Sequence, residues 1–324
     1  MDDSEGVTAA DAFAALGNDK RVAIVRALAE AEGPMSFSDL QDAVEIDDSG
    51  QFNYHLGKLV GIFVRQVEPG EEQAPSTPGE TRDATTSGET PDAAASGETS
   101  RGDGRGARNG GYELTYAGEN VLGAILAGTY TPSGFETEFE LTEACRDCGE
   151  PLQATYENER VTVRCEACDV TISRLGLPPG AFEGRDRAEL TRLFSRWILD
   201  HAAFATDGIC LNCTGVMTGR LLEGGDTLEW TDHETRFECD RCGYTITLSV
   251  NVYLLSHPAV AAFYHEHGVD VRDGGTWNLP SHRSPDVRTV ETDPLAVVSR
   301  IELDDEVLSV RLEEDLSIPE VRRE

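Results

Sequence analysis

The stretch DSGQFNYHLGKLVGIFV, residues 48–64, decides how the first part of the chain folds. At about 100° per residue, a helix over 49–60 gathers three apolar side chains on one face, Phe52, Leu56 and Leu59. The residues that follow, IFVRQV (62–67), have the apolar and β-branched composition of a strand. The stretch therefore predicts a helix that packs on its neighbours and leads directly into a strand.

Three short helices are predicted before this stretch. Thr8 can cap the first, which ends at Gly17. The second, over 19–31, has four apolar side chains on one face, Val22, Val25, Leu28 and Ala29. Ser36, with Asp39 three residues later, resembles a capping box that opens the third. The first part of the chain is thus predicted to be a helical unit.

Residues 70–110 interrupt this unit and contain no Val, Ile, Leu, Met, Phe, Trp or Tyr. A pattern recurs in them every nine residues, as TPGET, TSGET and ASGET. Because such a segment cannot bury a core, it is predicted to be a disordered loop. The strand-like GYELTY (111–116) follows and can pair with 62–67, and a helix is predicted over 117–127.

From residue 141 onward the chain contains two similar modules, each with a Cys-x-x-Cys pair, strand-like segments, a second pair and a helix. The predicted parts are, in order, a first module (141–175), a helix (185–206), a second module (208–255), and a helix with strands (256–315) that include a hairpin of VSRIEL (298–303) and VLSVRL (307–312). The predicted fold class is multidomain α+β, with an N-terminal helical domain (8–128) and a C-terminal β-rich domain (141–324).

The chain carries 60 acidic against 27 basic residues, a formal net charge of −33, and its only lysines are Lys20 and Lys58. The acids are spread through segments with apolar periodicity, so the charge does not indicate disorder. An acidic, arginine-rich surface suits a salt-loaded cytosol, in which charges are screened within about 3 Å at 1 M salt. We therefore interpret the charge as a halophilic adaptation.

No apolar run is long enough to span a membrane, and the acidic N-terminus is unlike a signal peptide, so a soluble cytoplasmic protein is expected.

All eight cysteines stand in Cys-x-x-Cys pairs, Cys145/Cys148, Cys165/Cys168, Cys210/Cys213 and Cys239/Cys242. The gaps between the pairs match two zinc ribbons, in which each ion takes four thiolates. Gly149 and Gly243 each follow a second cysteine, where a positive φ turns backbone N–H groups toward the sulfurs. We expect two structural zinc ions, because four thiolates leave no open position for water.

Other chemistries are less favoured by the pattern. Thiol–disulfide exchange normally uses one Cys-x-x-Cys pair at the start of a helix, and a metal-responsive role is a further alternative. The sequence has no Ser-His-Asp set, glycine-rich phosphate loop or HExxH pattern. We therefore do not expect an enzyme.

The helix of the opening stretch has a second face, made of Gln51, Tyr54, His55 and Lys58. These residues stand at i, i+3, i+4 and i+7, and each can hydrogen-bond to base edges or phosphates. A merely solvated face of this chain should contain acids, since nearly one residue in five is acidic, and this face has none. The pattern favours a helix that contacts DNA.

Residues 10–127 resemble a winged helix-turn-helix domain of the ArsR type, as found in archaeal transcriptional regulators. The resemblance rests on FAALGNDKRVAIVRALAE (13–30) and on a histidine-leucine-x-x-leucine signature in the recognition helix, here His55, Leu56 and Leu59 with Lys58 between them. It implies that the hairpin of 62–67 with 111–116 is the wing, and that a homodimer forms through helices at about 9–16 and 117–127. Together with the face above, it implies DNA contacts by Ser49, Gln51, Asn53, Tyr54, His55 and Lys58 in a major groove and by Arg65 near phosphate.

Two features depart from the family pattern. The wing tip carries the insert, where Arg101, Arg105 and Arg108 can reach a DNA backbone or minor groove, although a solvated linker is the simpler interpretation. The domain has no cysteine, so the metal sensing of some family members is not carried over. The rest of the chain resembles zinc-ribbon domains appended to haloarchaeal regulators.

These observations predict a homodimeric, sequence-specific transcriptional regulator that binds double-stranded DNA, with the zinc-ribbon domain as an effector or partner module. One alternative is an adaptor that binds a component of the transcription machinery. Another is a small-ligand sensor with a pocket among aromatic side chains, whose simpler interpretation is core packing. These aromatic residues are Trp197, Phe204, Trp230, Tyr253, Phe263 and Trp277.

Overall fold

The chain forms two units, Met1–Leu126 (unit one) and Ala127–Glu324 (unit two). The computed structural model describes residues 6–68, 110–131, 134–145, 147–224, 228, 231–272, 279 and 286–324. Unit one is mainly helical and unit two is rich in strands, so the predicted order along the chain, helices first and strands after them, is confirmed. Most of the predicted insert, with Arg101, Arg105 and Arg108, lies outside the described residues. None of the described helices combines the length and the apolar character needed to cross a bilayer.

Unit one contains the elements that the sequence predicts, with their ends shifted by one or two residues. They are α1 (Ala9–Leu16), α2 (Asp19–Glu30), α3 (Phe37–Ala43), α4 (Ser49–Leu59), β1 (Val64–Val67), β2 (Gly111–Leu114) and α5 (Tyr116–Leu126). Polar side chains fix where three of the helices begin. Thr8 and Asp11 form a capping box at α1, Ser36 accepts the Asp39 N–H at α3, and Asp48 accepts the Gln51 N–H at α4.

The core of unit one joins one face of α4 to α2. The predicted α4 face is buried, with Phe52, Leu56 and Leu59 at most 1% exposed. On α2 the prediction was partly wrong, because Ala29 is exposed and Ile24 is buried. The helix packs against α4, α5 and β2, and so its buried arc is centred on Leu28 and extends to Ile24.

A hairpin closes unit one. β1 pairs with β2 in antiparallel register, as predicted, from Val64↔Leu114 to Val67↔Gly111. The other edge of β2 exchanges backbone hydrogen bonds with Met35, at the entry to α3. At Gly118 of α5, a Cβ atom would collide with the Phe63 carbonyl oxygen, so only glycine allows this approach.

Unit two contains two cysteine-bearing sheets, a long helix and a C-terminal sheet. Its elements are β3 (Thr137–Ala144), β4 (Pro151–Glu157), β5 (Arg160–Cys165), β6 (Val170–Gly176), a 3-10 turn (Pro179–Phe182), α6 (Arg187–Thr206), β7 (Met217–Glu223), β8 (His233–Cys239), β9 (Thr245–Ser249), α7 (Val250–Leu254), α8 (Pro258–Glu266), β10 (Asp286–Thr292), β11 (Leu295–Leu303), β12 (Glu306–Glu313) and β13 (Glu320–Arg323). In the structure, the first module comprises residues 137–176 and the second module residues 209–249, compared with the predicted bounds of 141–175 and 208–255.

Each module is built on an antiparallel sheet. The first has the strand order β3-β4-β5-β6 and the second has the order β7-β8-β9. Helix α6 serves both, since its Phe194 lies in the core of the first module and its Ala202 lies in the core that includes the second. Ile198, between them, packs against both cores.

The C-terminal sheet packs on the second module. The predicted hairpin is present as β11 and β12, and Asp304 at its turn has a φ of 52°. Strands β10 and β13 flank it, and the sequence reading missed both. A buried hydrogen bond from Ser299 Oγ to Asn251 Oδ1 (2.8 Å) joins β11 to α7.

Candidate metal centres and the outer face of the fourth helix

In the first module, hairpin turns carry the four cysteines to one point. The ligand sulfurs of Cys145, Cys148, Cys165 and Cys168 all lie within 4.8 Å of one another. The shortest contacts join different pairs, at 3.5 Å for Cys148–Cys165 and 3.9 Å for Cys145–Cys168. A tetrahedral ion with metal–sulfur bonds of about 2.3 Å requires sulfurs about 3.8 Å apart. The group therefore has the dimensions of a four-thiolate metal site.

The second module repeats this arrangement. Cys210, Cys213, Cys239 and Cys242 again lie with all sulfurs within 4.8 Å. The Cys213–Cys239 distance is 3.5 Å and the Cys210–Cys242 distance is 3.8 Å. All eight cysteines are free thiols. Each of the four short sulfur–sulfur contacts joins cysteines of two different Cys-x-x-Cys pairs. The prediction of two four-cysteine groups able to hold metal ions is thus confirmed.

The turns after the cysteines share one backbone conformation. Gly149 and Gly243 have the predicted positive φ, at 79° and 68°. Asp169 and Thr214 occupy the equivalent positions in the other two turns and also have positive φ, at 55° and 53°. Glycine adopts this region without steric cost, whereas a side chain such as that of Asp169 or Thr214 makes it less favourable.

The turn geometry directs backbone N–H groups at particular sulfurs. In the second module, the N–H of Cys242 lowers the pKa of the Cys239 thiol to about 7. Burial is the main cause that raises the pKa of the Cys213 thiol to about 12. In the first module, burial acts to raise the pKa of Cys145, but hydrogen bonds from the N–H groups of Cys148 and Asp147 outweigh it and lower the pKa, whereas burial raises the pKa of Cys165. Without a cation, neighbouring sulfurs therefore compete for negative charge, and a bound cation would favour the thiolate form of all four.

The outer face of α4 is exposed and carries no acid. Gln51, Asn53, Tyr54 and Lys58 are exposed, and Tyr54 is 60% accessible. Lys58 Nζ lies 5.7 Å from the centre of the Tyr54 ring, in cation–π contact. Ser49 at the first turn is also exposed, and its hydroxyl donates to the Gln41 side chain.

His55 does not lie on this outer face, in contrast to the prediction. It is 8% exposed, and its Nδ1 has no hydrogen-bond partner among the described residues. On the helical projection it stands between the outer face and Leu59, so packing of α4 on its neighbours covers it. Burial, with the nearby charges of Arg21 and Lys20, lowers the pKa of His55.

The start of α2 brings positive charge to this region, which sequence reasoning missed. Lys20 Nζ donates a hydrogen bond to Gln51 Oε1. Lys58 lies on the outer face of α4 itself, so both lysines of the chain are at this face. A spacing of thirty-one residues gives no local signal of this contact. Arg65 on β1 is half exposed but forms an ion pair with Glu113 on β2, which partly neutralises the charge expected near phosphate.

The aromatic residues of the proposed sensor pocket do not share one cavity in the described structure. Tyr253 and Phe263 lie in the core, at 8% and 2% exposure. Trp197 and Phe204 line a cleft elsewhere in unit two. Trp230 and Trp277 lie outside the described residues.

Comparison with known proteins gives two family matches. Residues 142–318, more than half of the chain, match the family described as "Domain of unknown function (DUF7351)". Residues 9–76 match the family described as "Domain of unknown function (DUF7347)". No curated protein and no solved structure matches the chain.

Proposed function

The chain belongs to the DUF7351 family, and we propose that it is a sequence-specific, DNA-binding transcriptional regulator. Unit one would be a winged helix-turn-helix domain with α4 as the recognition helix. Unit two would be an effector or partner module held together by two zinc ions. The observation that carries the proposal is the acid-free outer face of α4, which includes Lys58 and is contacted by Lys20.

The order of elements in unit one supports the winged helix-turn-helix assignment. Helices α3 and α4 are joined by a short turn in which Glu45 has a φ of 53°. The hairpin β1–β2 and then α5 follow α4, as a wing and a closing helix would. The buried face of α4 packs on α2, and this packing leaves the opposite face free to enter a major groove.

The chemistry of the outer face suits base and phosphate contacts. Gln51 and Asn53 carry amides that can pair with base edges, and Tyr54 and Lys58 can contact phosphate. In molar salt, counterion release contributes little to affinity, so hydrogen bonds and apolar contacts would carry more of the specificity. His55 would act by supporting the helix from inside.

A homodimer through α1 and α5 is the proposed assembly. Both helices expose apolar side chains, with Phe13 64% and Leu126 56% accessible. Tyr116, at the start of α5, is 82% accessible. Apolar groups at this exposure on an otherwise acidic chain fit a surface that a second copy covers.

Zinc is the proposed occupant of both four-cysteine groups. Four sulfur donors at tetrahedral spacing suit zinc, and such sites are usually structural because no ligand position stays open. When bound, zinc would neutralise the thiolates and hold the hairpin turns of each module together. No catalytic role follows from this arrangement.

In vitro selection from random duplex DNA would test the proposal. The zinc-loaded full chain should enrich a defined sequence at high salt, whereas the variant Gln51→Ala/Tyr54→Ala/Lys58→Ala should enrich none. The control Arg192→Ala removes one exposed cation from α6 and should enrich the same sequence as the wild type. Equal thermal unfolding of all three proteins would show that the variants fold.

Two results would count against DNA reading. One is that the wild type enriches no sequence. The other is that the triple variant enriches the same sequence with the same affinity as the wild type. In the second case, the outer face of α4 would not be the reading surface.

A further inference from the structure

A large cleft lies between the two modules of unit two. Its volume is about 1450 Å³, and its walls are β6, β9 and one side of α6. Small-molecule sites usually enclose about 300–1,000 Å³. The cleft is therefore larger than a small ligand needs, and its size suits a segment of polypeptide.

Two sheet edges face this cleft. β6 is the last strand of the first sheet and β9 is the last strand of the second, so neither has a second neighbouring strand among the described residues. Every residue over 171–177 and over 244–249 lines the cleft. Side chains alternate between the two faces of a strand, so an uninterrupted run of lining residues means that the strand presents its edge. An edge of this kind is a template for an added strand.

The charge in the cleft differs from that of the rest of the chain. Three arginines line it, Arg160, Arg174 and Arg236, against two acids, Glu159 and Asp200. The whole chain has the opposite balance, with 60 acidic and 27 basic residues. Asp200 is already paired with Arg196, which reduces the negative charge available inside the cleft.

Two of the arginines are placed to receive a ligand. Arg160 and Arg174 form no ion pair with any other described residue, whereas Arg236 pairs with the buried Glu234. Arg160 lies opposite Gly176 and Arg174 lies opposite Thr162, so the two arginines are diagonal neighbours on one face of the β5–β6 pair. Like charges at this spacing are unfavourable unless an anion lies between them. Trp197 and Phe204 of α6 provide an apolar wall in the same cleft.

We propose that this cleft binds an extended, acidic peptide segment of a partner protein, added as a strand against β6. Ile172 is an extra residue in the β5–β6 register, so the regular part of this edge is residues 173–176. It is preferred over β9 because Arg174 belongs to it and Arg160 lies opposite its last residue, Gly176, and neither arginine forms an ion pair with another described residue. Backbone hydrogen bonds would hold the peptide, carboxylates on alternate residues would meet the two arginines, and the intervening side chains would pack toward α6. The inference rests on the part of the proposed function that makes unit two a partner module.

The test uses the zinc-loaded full chain without DNA. The probe is a fluorescein-labelled library of eight-residue peptides in which glutamate alternates with an equal mixture of valine, isoleucine, threonine and phenylalanine. A second library carries lysine in place of glutamate, and a third is the first with alternate backbone amides N-methylated. Fluorescence anisotropy gives the affinities, and hydrogen exchange gives the protection of the β6 amides.

The glutamate library should bind at least about tenfold more tightly than either control library, because it alone offers both carboxylates and backbone donors. Arg160→Gln/Arg174→Gln should weaken its binding about tenfold. The matched control Arg187→Gln/Arg192→Gln removes two exposed arginines of α6 that do not line the cleft, and should bind as the wild type does. Bound peptide should slow exchange of amides in β6.

Four results would overturn the inference. They are no binding of the glutamate library, equal binding of the lysine library, equal binding of the N-methylated library, and protection of β6 that rises with protein concentration without peptide. The last would assign the cleft to a second copy of the chain. Because no DNA is present, each of these results leaves the DNA-reading proposal untouched, and a failed DNA selection leaves this inference standing.

Discussion

In unit one, α4 is held in place by apolar side chains, whereas in unit two the hairpin turns converge on two groups of four thiols. Unit one contains no cysteine, and its buried contacts lie mostly between helices and a short hairpin. We therefore expect unit one to fold from side-chain burial alone, and the modules of unit two to depend on an added ion that fixes their turns.

Metal removal should have the largest effect, and it should destabilise unit two while leaving unit one unchanged. Structural zinc contributes about 10–16 kcal/mol of apparent binding free energy in small zinc-dependent domains. A chelator, or Cys145→Ser or Cys239→Ser, should therefore abolish protection from hydrogen exchange in the affected module while α1–α5 keep theirs. Metal analysis of the untreated protein should find two zinc ions per chain. Unchanged protection of residues 137–176 and 209–249 after metal loss would refute the metal dependence.

Overpacking should affect unit one alone, by a smaller amount. Gly118→Ala places a Cβ against the Phe63 carbonyl and should destabilise unit one by about 1–3 kcal/mol. The matched control Gly123→Ala lies on the same helix in open space and should stabilise by up to about 1 kcal/mol. Denaturant unfolding followed by exchange of α4 amides measures both. Equal effects of the two substitutions would show that the close approach at Gly118 is not required.

The smallest expected effect is a pH dependence of the stability of unit one. His55 is the only histidine in that unit, and burial lowers its pKa below the usual 6.5. The unfolded chain then binds the proton more readily than the folded one, so the stability is fully present above about pH 6.5 and is lost as the pH falls through the lowered value. Unfolding of unit one at pH 7.5 and 5.5 should show the loss, and His55→Gln should remove it. A wild type with equal stability at both pH values would contradict the buried position of His55.

Local signals predicted much of what the structure contains. Caps at Thr8 and Ser36 mark helix starts, and the cysteine spacing indicates both metal groups. The pairing of β1 with β2 was predictable because each segment has a strand-like composition on either side of the insert. These features depend on residues near each other in sequence or on one distinctive residue type.

Features set by tertiary packing were not predictable in the same way. The width of a buried helical arc depends on how many elements pack against it, and for this reason His55 was assigned to the wrong face and Ile24 was omitted. The contact of Lys20 with Gln51 and the cleft between β6 and β9 both join residues that are distant in sequence. β13 has only four residues, too few for a clear alternating pattern.

Genome-wide crosslinking in the native host is the decisive test of the proposal that the outer face of α4 reads DNA. The wild type and Gln51→Ala/Tyr54→Ala/Lys58→Ala should be expressed at equal levels and compared at equal sequencing depth. We expect discrete peaks sharing a sequence for the wild type and their loss in the variant. The same peaks in both proteins, or peaks in neither, would contradict it.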